Sequence, residues 1–162
     1  MPSTSPHDRS SAEHRRLSIM VDYLFGKGVS RVLPRQGIRF AYSRRSGRLR
    51  FVYESDRLFA TVKPSGAMAL TLHGARLLME SRGFRQNCVQ VADETAPFVM
   101  GGRSVFCKFV RWAGRNIHPK SEVVVVDSKW KVLGVGTAVL AGEHMALFKS
   151  GAAVKVRAGL KP

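Results

Sequence analysis

Four consecutive valines, Val123, Val124, Val125 and Val126, stand between Glu122 and Asp127. In a pleated strand neighbouring side chains point to opposite faces, so an apolar run without polar alternation requires cover on both sides. The chain must therefore wrap other elements around this strand from two directions. Asp127, Ser128 and Lys129 read as the turn into a next strand over 131–139. There Gly134 and Gly136 mark a bend or bulge of the kind that lets a small barrel curl shut. Further strands are expected over 88–91, 104–110 and 153–157. A helix over 143–149, with Met145 and Phe148 inward and Gly151 as its stop, leads into the last of them. In that strand Val154 and Val156 face one way while Ala153, Lys155 and Arg157 face the other. The second half, 85–162, is expected to be a mainly β, barrel-like domain.

The first half has other periodicities. Leu17, Met20, Val21, Leu24 and Phe25 recur at helical spacing, with Gly26 and Gly28 as the stop, and both Tyr23 and Phe25 are expected in the core. Ile38, Phe40 and Tyr42 then alternate with Arg39, Ala41 and Ser43. Arg44, Arg45, Ser46 and Gly47 form a hairpin turn, and on the return Leu49, Phe51 and Tyr53 alternate with Arg48, Arg50 and Val52. That pattern assigns Leu49, Phe51 and Tyr53 to the core side and the arginines to the other. Strands near 58–63 and 67–70, turned by Pro64, Ser65 and Gly66, complete an antiparallel meander. A helix opening at Thr71 or Leu72 follows and stops at Gly83. The expected layout is a flexible N-terminus over 1–14 and an α+β domain of helix, antiparallel sheet and helix over 15–84, the helices covering the sheet's apolar face.

Charge narrows the function class. The chain has 27 Lys+Arg against 11 Asp+Glu, a formal net charge of +16, and 18 of the 27 cations are arginine. Arginine's planar fork grips phosphate bidentately and stacks on bases, which favours a nucleic-acid partner. Seven arginines (Arg31, Arg35, Arg39, Arg44, Arg45, Arg48 and Arg50) fall between Gly28 and Tyr53 with no acid among them. On pleated strands they repel one another unless a polyanion is near, so Arg44, Arg45, Arg48 and Arg50 are candidate phosphate contacts. The second candidate is the segment 92–110, where a short helix ends in Gly101 and Gly102, followed by Arg103 and a strand beginning at Ser104. Such a turn is expected to expose backbone N–H groups to a phosphate.

Other classes have less support. No apolar run approaches the roughly 20 residues of a membrane span, no helix combines a lysine-rich with a tryptophan-rich face, and the N-terminus lacks a signal-peptide layout. A cytoplasmic protein without membrane partners is expected. Cys88 and Cys107 read as buried free thiols, too few for a four-ligand zinc site. His73, His118 and His144 are isolated. Glu54, Asp56, Asp93, Glu94, Glu122, Asp127 and Glu143 fall at element ends, where caps and turns explain them. No metal, cofactor or catalytic residue is expected.

Several longer patterns go further. Asp93-Glu94-x-Ala96-Pro97-Phe98-Val99-x-Gly101-Gly102-x-Ser104-Val105-Phe106-x-Lys108-Phe109-Val110, then Leu133-x-x-Gly136-x-Ala138-x-Leu140-x-x-Glu143-x-Met145 and Gly151-x-Ala153-Val154-Lys155-Val156-Arg157, resemble the PUA domain that ends archaeal tRNA-guanine transglycosylases. Upstream, Asp22-Tyr23-x-Phe25-Gly26-x-Gly28, Ser43-Arg44-Arg45-x-Gly47-Arg48-x-Arg50 and Leu70-Thr71-Leu72-x-Gly74-Ala75 resemble the domain preceding it. The resemblance implies an α+β domain followed by a PUA pseudo-barrel, used by archaeosine-forming enzymes to hold tRNA by its acceptor stem and 3′ end. Carried onto this sequence, the implied RNA contacts are Phe98, Gly101, Gly102, Arg103, Ser104, Val105, Lys108, Lys155 and Arg157. The catalytic barrel of that family has no counterpart here. The chain therefore reads as a non-catalytic tRNA-binding protein, working beside a separate catalytic transglycosylase subunit or another RNA-modifying enzyme. A PUA-type adaptor in ribosomal RNA maturation and a small RNA-modifying enzyme are the alternatives.

Overall fold

The first helix reaches further toward the N-terminus than its apolar periodicity: in the computed structural model, which describes residues 6–161, α1 covers Pro6–Phe25. Residues 6–14, expected to be flexible, are helical, and 1–5 lie outside the described residues. Leu17, Val21 and Phe25 form the buried stripe of α1. Tyr23 corrects the expectation for it, being 88% exposed. It stands two residues from both Val21 and Phe25, about 200° around the helix from either, and so faces away from the core.

Strands β1 (Ile38–Tyr42), β2 (Leu49–Glu54), β3 (Arg57–Val62) and β4 (Met68–Leu70) form the expected antiparallel meander in that order. α2 (Leu72–Leu78) follows, its first turn capped by the Thr71 hydroxyl, which accepts from Gly74 N–H at 3.1 Å. Leu49 packs against the core as expected, but from Phe51 to Glu54 the facing of β2 is the reverse of the expected one. Register pairs Ile38 with Glu54 and Phe40 with Val52, so the buried Ile38 and Phe40 bring Val52 and Glu54 to the core side. Phe51 and Tyr53 occupy the outer face, where arginines cover them: the guanidinium carbons of Arg39 and Arg50 lie 4.4 Å and 5.3 Å from the ring centroids of Tyr53 and Phe51. Glu54 is buried there without cost in unmet hydrogen bonds, because the Ser55 hydroxyl donates to it and His73 Nε2 lies 2.7 Å from its carboxylate. The Ser55 and His73 contacts hold its carboxyl below the usual range against the effect of burial.

The second half contributes β5 (Cys88–Val91), α3 (Ala96–Met100), β6 (Val105–Phe106), β7 (Val110–Ala113), β8 (Glu122–Val126), β9 (Val132–Ala138), α4 (Gly142–Met145) and β10 (Ala152–Gly159). Its sheet has the order β6-β10-β9-β8-β5-β7, with β5 and β8 parallel and the other pairs antiparallel, and curls into a nearly closed barrel. The single strand expected over 104–110 is broken by a 3-10 turn at Cys107–Phe109. β6 and β7 lie at opposite ends of the sheet order, so one straight strand could not serve both. The helix expected over 143–149 is also shorter. Met145 is buried, but Phe148 is 52% exposed, since the chain leaves the helix before Gly151 accepts the Cys107 N–H at 2.9 Å. Gly136 permits the close pairing of β9 and β10: a Cβ there would sit 2.1 Å from the Lys155 carbonyl oxygen.

β8 joins two cores. Val123 and Val125 pack inside the barrel with Val89, Leu133 and Met145. Val124 and Val126 point the other way, into a cluster with Leu17, Phe59, Leu78 and Phe84 from the first half. The end of α1 is tied to the barrel by amides as well: Asn87 Nδ2 donates to the Phe25 carbonyl at 2.7 Å, and Asn116 Nδ2 to the Leu24 carbonyl at 3.3 Å. The two halves are consequently expected to unfold together. Val124→Ala and Val125→Ala should each cost about 2 kcal/mol, with tryptophan fluorescence and far-UV circular dichroism following one coincident denaturation curve. A two-step transition in either variant would contradict the shared strand.

Candidate nucleic-acid interface

The glycine turn is built by α3. Asp93 and Glu94 open a 3-10 turn that runs into this helix, yet Asp93 does not cap it. Its carboxylate accepts from the backbone N–H of Ser128 at 3.0 Å and from the Ser128 hydroxyl at 2.7 Å, which lowers its pKa and fixes the turn between β8 and β9. At the other end Gly102 has φ +89°. Its N–H donates to the Val99 carbonyl at 2.9 Å, and the N–H of Arg103 to that of Phe98 at 3.0 Å. This is the Schellman closure of a helix. With Gly101 N–H bonded to Pro97 at 3.0 Å, all three amides expected to face a phosphate are already used by the helix's own carbonyls.

What the turn presents is side chains. Arg103 and Ser104 are exposed, and Phe98 is 53% exposed, with the Arg103 guanidinium carbon 5.7 Å from its ring centroid. Val105 is fully buried and belongs to the barrel core. Lys108 is exposed beside the Phe109 ring, and Lys155 is exposed on β10. The end of β10 seats the turn: a Cβ on Gly159 would meet the Val99 and Met100 carbonyl oxygens at 2.4 Å.

Arg157 is committed elsewhere. Its Nη1 and Nη2 donate to the Glu122 carboxylate at 2.9 Å and 2.6 Å, and Nη2 also to the Leu70 carbonyl at 2.7 Å. The same carboxylate accepts from Leu70 N–H. Arg157 is therefore a bridge between barrel and meander rather than a free phosphate contact, and Glu122 is more than a strand end. Burial pushes the Glu122 carboxyl up, against the opposing pull of Arg157. No spacing signal connects residues 122 and 157 with 70; the pairing of β10 with β9 and of β9 with β8 brings the first two together, and the packing of β4 against β8 brings Leu70 to them.

The arginine hairpin divides in two. Arg44 and Arg45 are exposed in the turn, which closes through Ser43 N–H to the Arg48 carbonyl at 2.8 Å. Arg48 and Arg50 line a cleft with Arg16 of α1 and Lys63 of the turn between β3 and β4. Lys63 is near enough to Glu122 for its charge to oppose the upward shift that burial imposes. Lys155 and Glu122 both pair with Thr137 from opposite sides, so they share a face about 10 Å apart, two strand spacings. The exposed cations thus run from the hairpin past Lys63 to β10.

Among the described residues no three His, Cys, Asp or Glu are grouped to hold a metal ion, and no helix is long and apolar enough to cross a membrane. Cys88 and Cys107 are free and buried; burial pushes the Cys88 thiol up to about 12.

The barrel with its Schellman-closed turn defines a PUA-domain protein, and residues 87–160 match the PUA domain family. Residues 15–84 match the patch-forming domain C2 of tRNA-guanine transglycosylase. The chain belongs with the C2 and PUA domains of the archaeal tRNA-guanine transglycosylases. It is 34% identical over 145 residues to the tRNA-guanine(15) transglycosylase of Methanothermobacter thermautotrophicus, which covers 89% of this chain and 22% of the relative. The corresponding protein of Pyrococcus furiosus is 34% identical over 157 residues, covering 95% of this chain and 26% of its own length. The chain thus spans about a quarter or less of the curated relatives it matches. Its fold is similar to that of a hypothetical protein from Pyrococcus horikoshii, with a TM-score of 0.72 at 18% identity over 94% of this chain and 92% of the other.

Arg157→Met tests the bridge. It should destabilise the fold by about 2–3 kcal/mol near neutral pH, because a buried carboxylate loses its partner. Without Arg157 the folded-state pKa of Glu122 rises further above its unfolded value. The favourable contribution of the protonated group is then present at low pH and lost as pH rises through the raised value. The deficit relative to the parent chain, measured by denaturant titration, should shrink as pH falls toward the ordinary value of 4.5.

Proposed function

We propose that the chain is an RNA-binding protein that holds tRNA for a modifying enzyme and carries no catalytic centre of its own. One observation carries this reading. Arg44, Arg45, Arg48, Arg50, Arg103, Lys108 and Lys155 have no carboxylate within 4.0 Å among the described residues, so a dense cationic surface has no internal counter-charge. Such a surface is stabilised by releasing counterions from a polyphosphate backbone. The exposed Phe98 beside Arg103 adds a stacking surface suited to unpaired bases.

The relatives' names point to tRNA as the RNA, and the PUA half to its acceptor stem and 3′ end. Catalysis is assigned to a separate transglycosylase chain or another modifying enzyme. Glycosidic exchange needs one free carboxylate as nucleophile and another as acid or base. Here Glu54 is held by Ser55 and His73, Glu122 by Arg157 and Leu70, and Asp93 by Ser128, while Asp56, Glu80, Glu94 and Glu143 stand exposed at turns and element ends.

Filter binding tests this with a tRNA transcript, the same transcript lacking its 3′ end, a ribosomal RNA hairpin and a plain duplex, between about 50 and 200 mM salt. The intact tRNA should bind tightest, and Arg103→Ala should lower the salt slope by about one unit. Equal affinity for all four RNAs would contradict the tRNA assignment. Base exchange into tRNA by the purified chain alone would overturn the non-catalytic one.

A further inference from the structure

Arg44 and Arg45 stand outward on the hairpin turn. Arg48, Arg50, Arg16 and Lys63 behave differently: they come from three separate parts of the fold and converge on one cleft of about 740 Å³. Among the described residues no acid lines this cleft. Its volume lies in the range of ordinary small-ligand sites, roughly 300–1,000 Å³.

The cleft is also apolar in part. Met20, Leu49 and Val62 line it as well, and all three pack against the first core behind it. Tyr42 stands at its edge, 49% exposed, with its hydroxyl accepting from Arg16 Nη1 at 3.3 Å. Arg16 is further placed by the Phe40 ring, 5.6 Å from its guanidinium carbon. Gly47 and Gly66, in the turns that border it, face open space where a Cβ would stand. An inorganic anion would use the cations and leave the apolar lining wet. A hydrocarbon would use the lining and leave the cations unpaired. A flat heteroaromatic base carrying a phosphate uses both.

We propose that this cleft binds one nucleoside phosphate, with the base against Met20, Leu49 and Val62 and the phosphate held by Arg48, Arg50 and Lys63. Two sources supply that chemistry: a nucleotide turned out of the bound RNA, which rests on the RNA-binding reading, and a free mononucleotide, which does not. Arg16 and Tyr42 flank the base in either case.

The full chain is titrated by calorimetry with AMP, GMP, CMP and UMP, with the four nucleosides, and with inorganic phosphate. At least one monophosphate should bind tenfold or more tighter than both its nucleoside and phosphate. The double variant Arg48→Gln/Arg50→Gln should weaken it at least tenfold with the far-UV spectrum unchanged, while Arg76→Gln/Arg115→Gln, exposed and outside the cleft, should change it less than twofold. In parallel, tRNAs carrying 2-aminopurine at successive unpaired positions are bound to the chain. One position should change its fluorescence in the complex and lose that change with Arg48→Gln/Arg50→Gln, identifying the RNA as the source. If a monophosphate binds but no position responds, the free nucleotide is the ligand. Monophosphates that bind no better than phosphate, together with silent 2-aminopurine positions, overturn the proposal, and persistent salt-dependent RNA binding would then leave the RNA-binding reading standing. Conversely, monophosphate binding without RNA binding keeps the cleft and removes the RNA reading.

Discussion

β8 has no solvent side. Val123 and Val125 fill the barrel while Val124 and Val126 fill the core beneath α1, α2 and the meander, and all four are fully buried. Burying each valine contributes about 1.5–3 kcal/mol relative to leaving it exposed, and separating the halves would return two of them to water. The meander and barrel therefore cannot move independently without exposing core. The polar contacts follow from that packing. Glu122 stands at the start of the shared strand, and its carboxylate, the Arg157 guanidinium and the Leu70 backbone satisfy one another where the halves meet.

This rigidity organises the charge. Two separate basic domains on a flexible joint would offer a polyanion two independent grips. Here the hairpin cleft, Lys63 and Lys155 are held along one joined surface, with Phe98, Arg103 and Lys108 carried on the same barrel. The proposed RNA binding would then need no ordering of one half relative to the other, which removes an entropic cost of association. The Schellman closure acts similarly at short range. By consuming the amides of Gly101, Gly102 and Arg103, it fixes the direction of Arg103 and leaves recognition there to side chains.

Much of the fold was legible in the sequence because its signals are periodic. The valine run demanded two-sided cover, the alternation at Ile38 and Phe40 marked the inner face of β1, and the meander and most barrel strands lie where turn residues bound them. The failures have specific physical causes. β2 carries apolar residues on both faces, so alternation alone could not show that Val52 was inside and that Phe51 and Tyr53 were covered by arginine. Tyr23 lies off the helical phase of Leu17, Val21 and Phe25, so its aromatic ring alone does not mark the core. Of the contacts that the family resemblance implied, Phe98, Arg103, Lys108 and Lys155 are exposed while Val105 is buried in the barrel. The commitment of Arg157 to Glu122 could not be read from the sequence, since it arises from tertiary pairing across 35 residues.

The central claim is that meander and barrel present one joint surface to RNA. Hydrogen–deuterium exchange of the chain, free and with increasing tRNA, measures this most directly. Exchange should slow in both the hairpin region 43–50 and the barrel segments 98–108 and 152–157, with the same half-saturating tRNA concentration for each. Protection confined to one half while the other exchanges as in the free chain would contradict it.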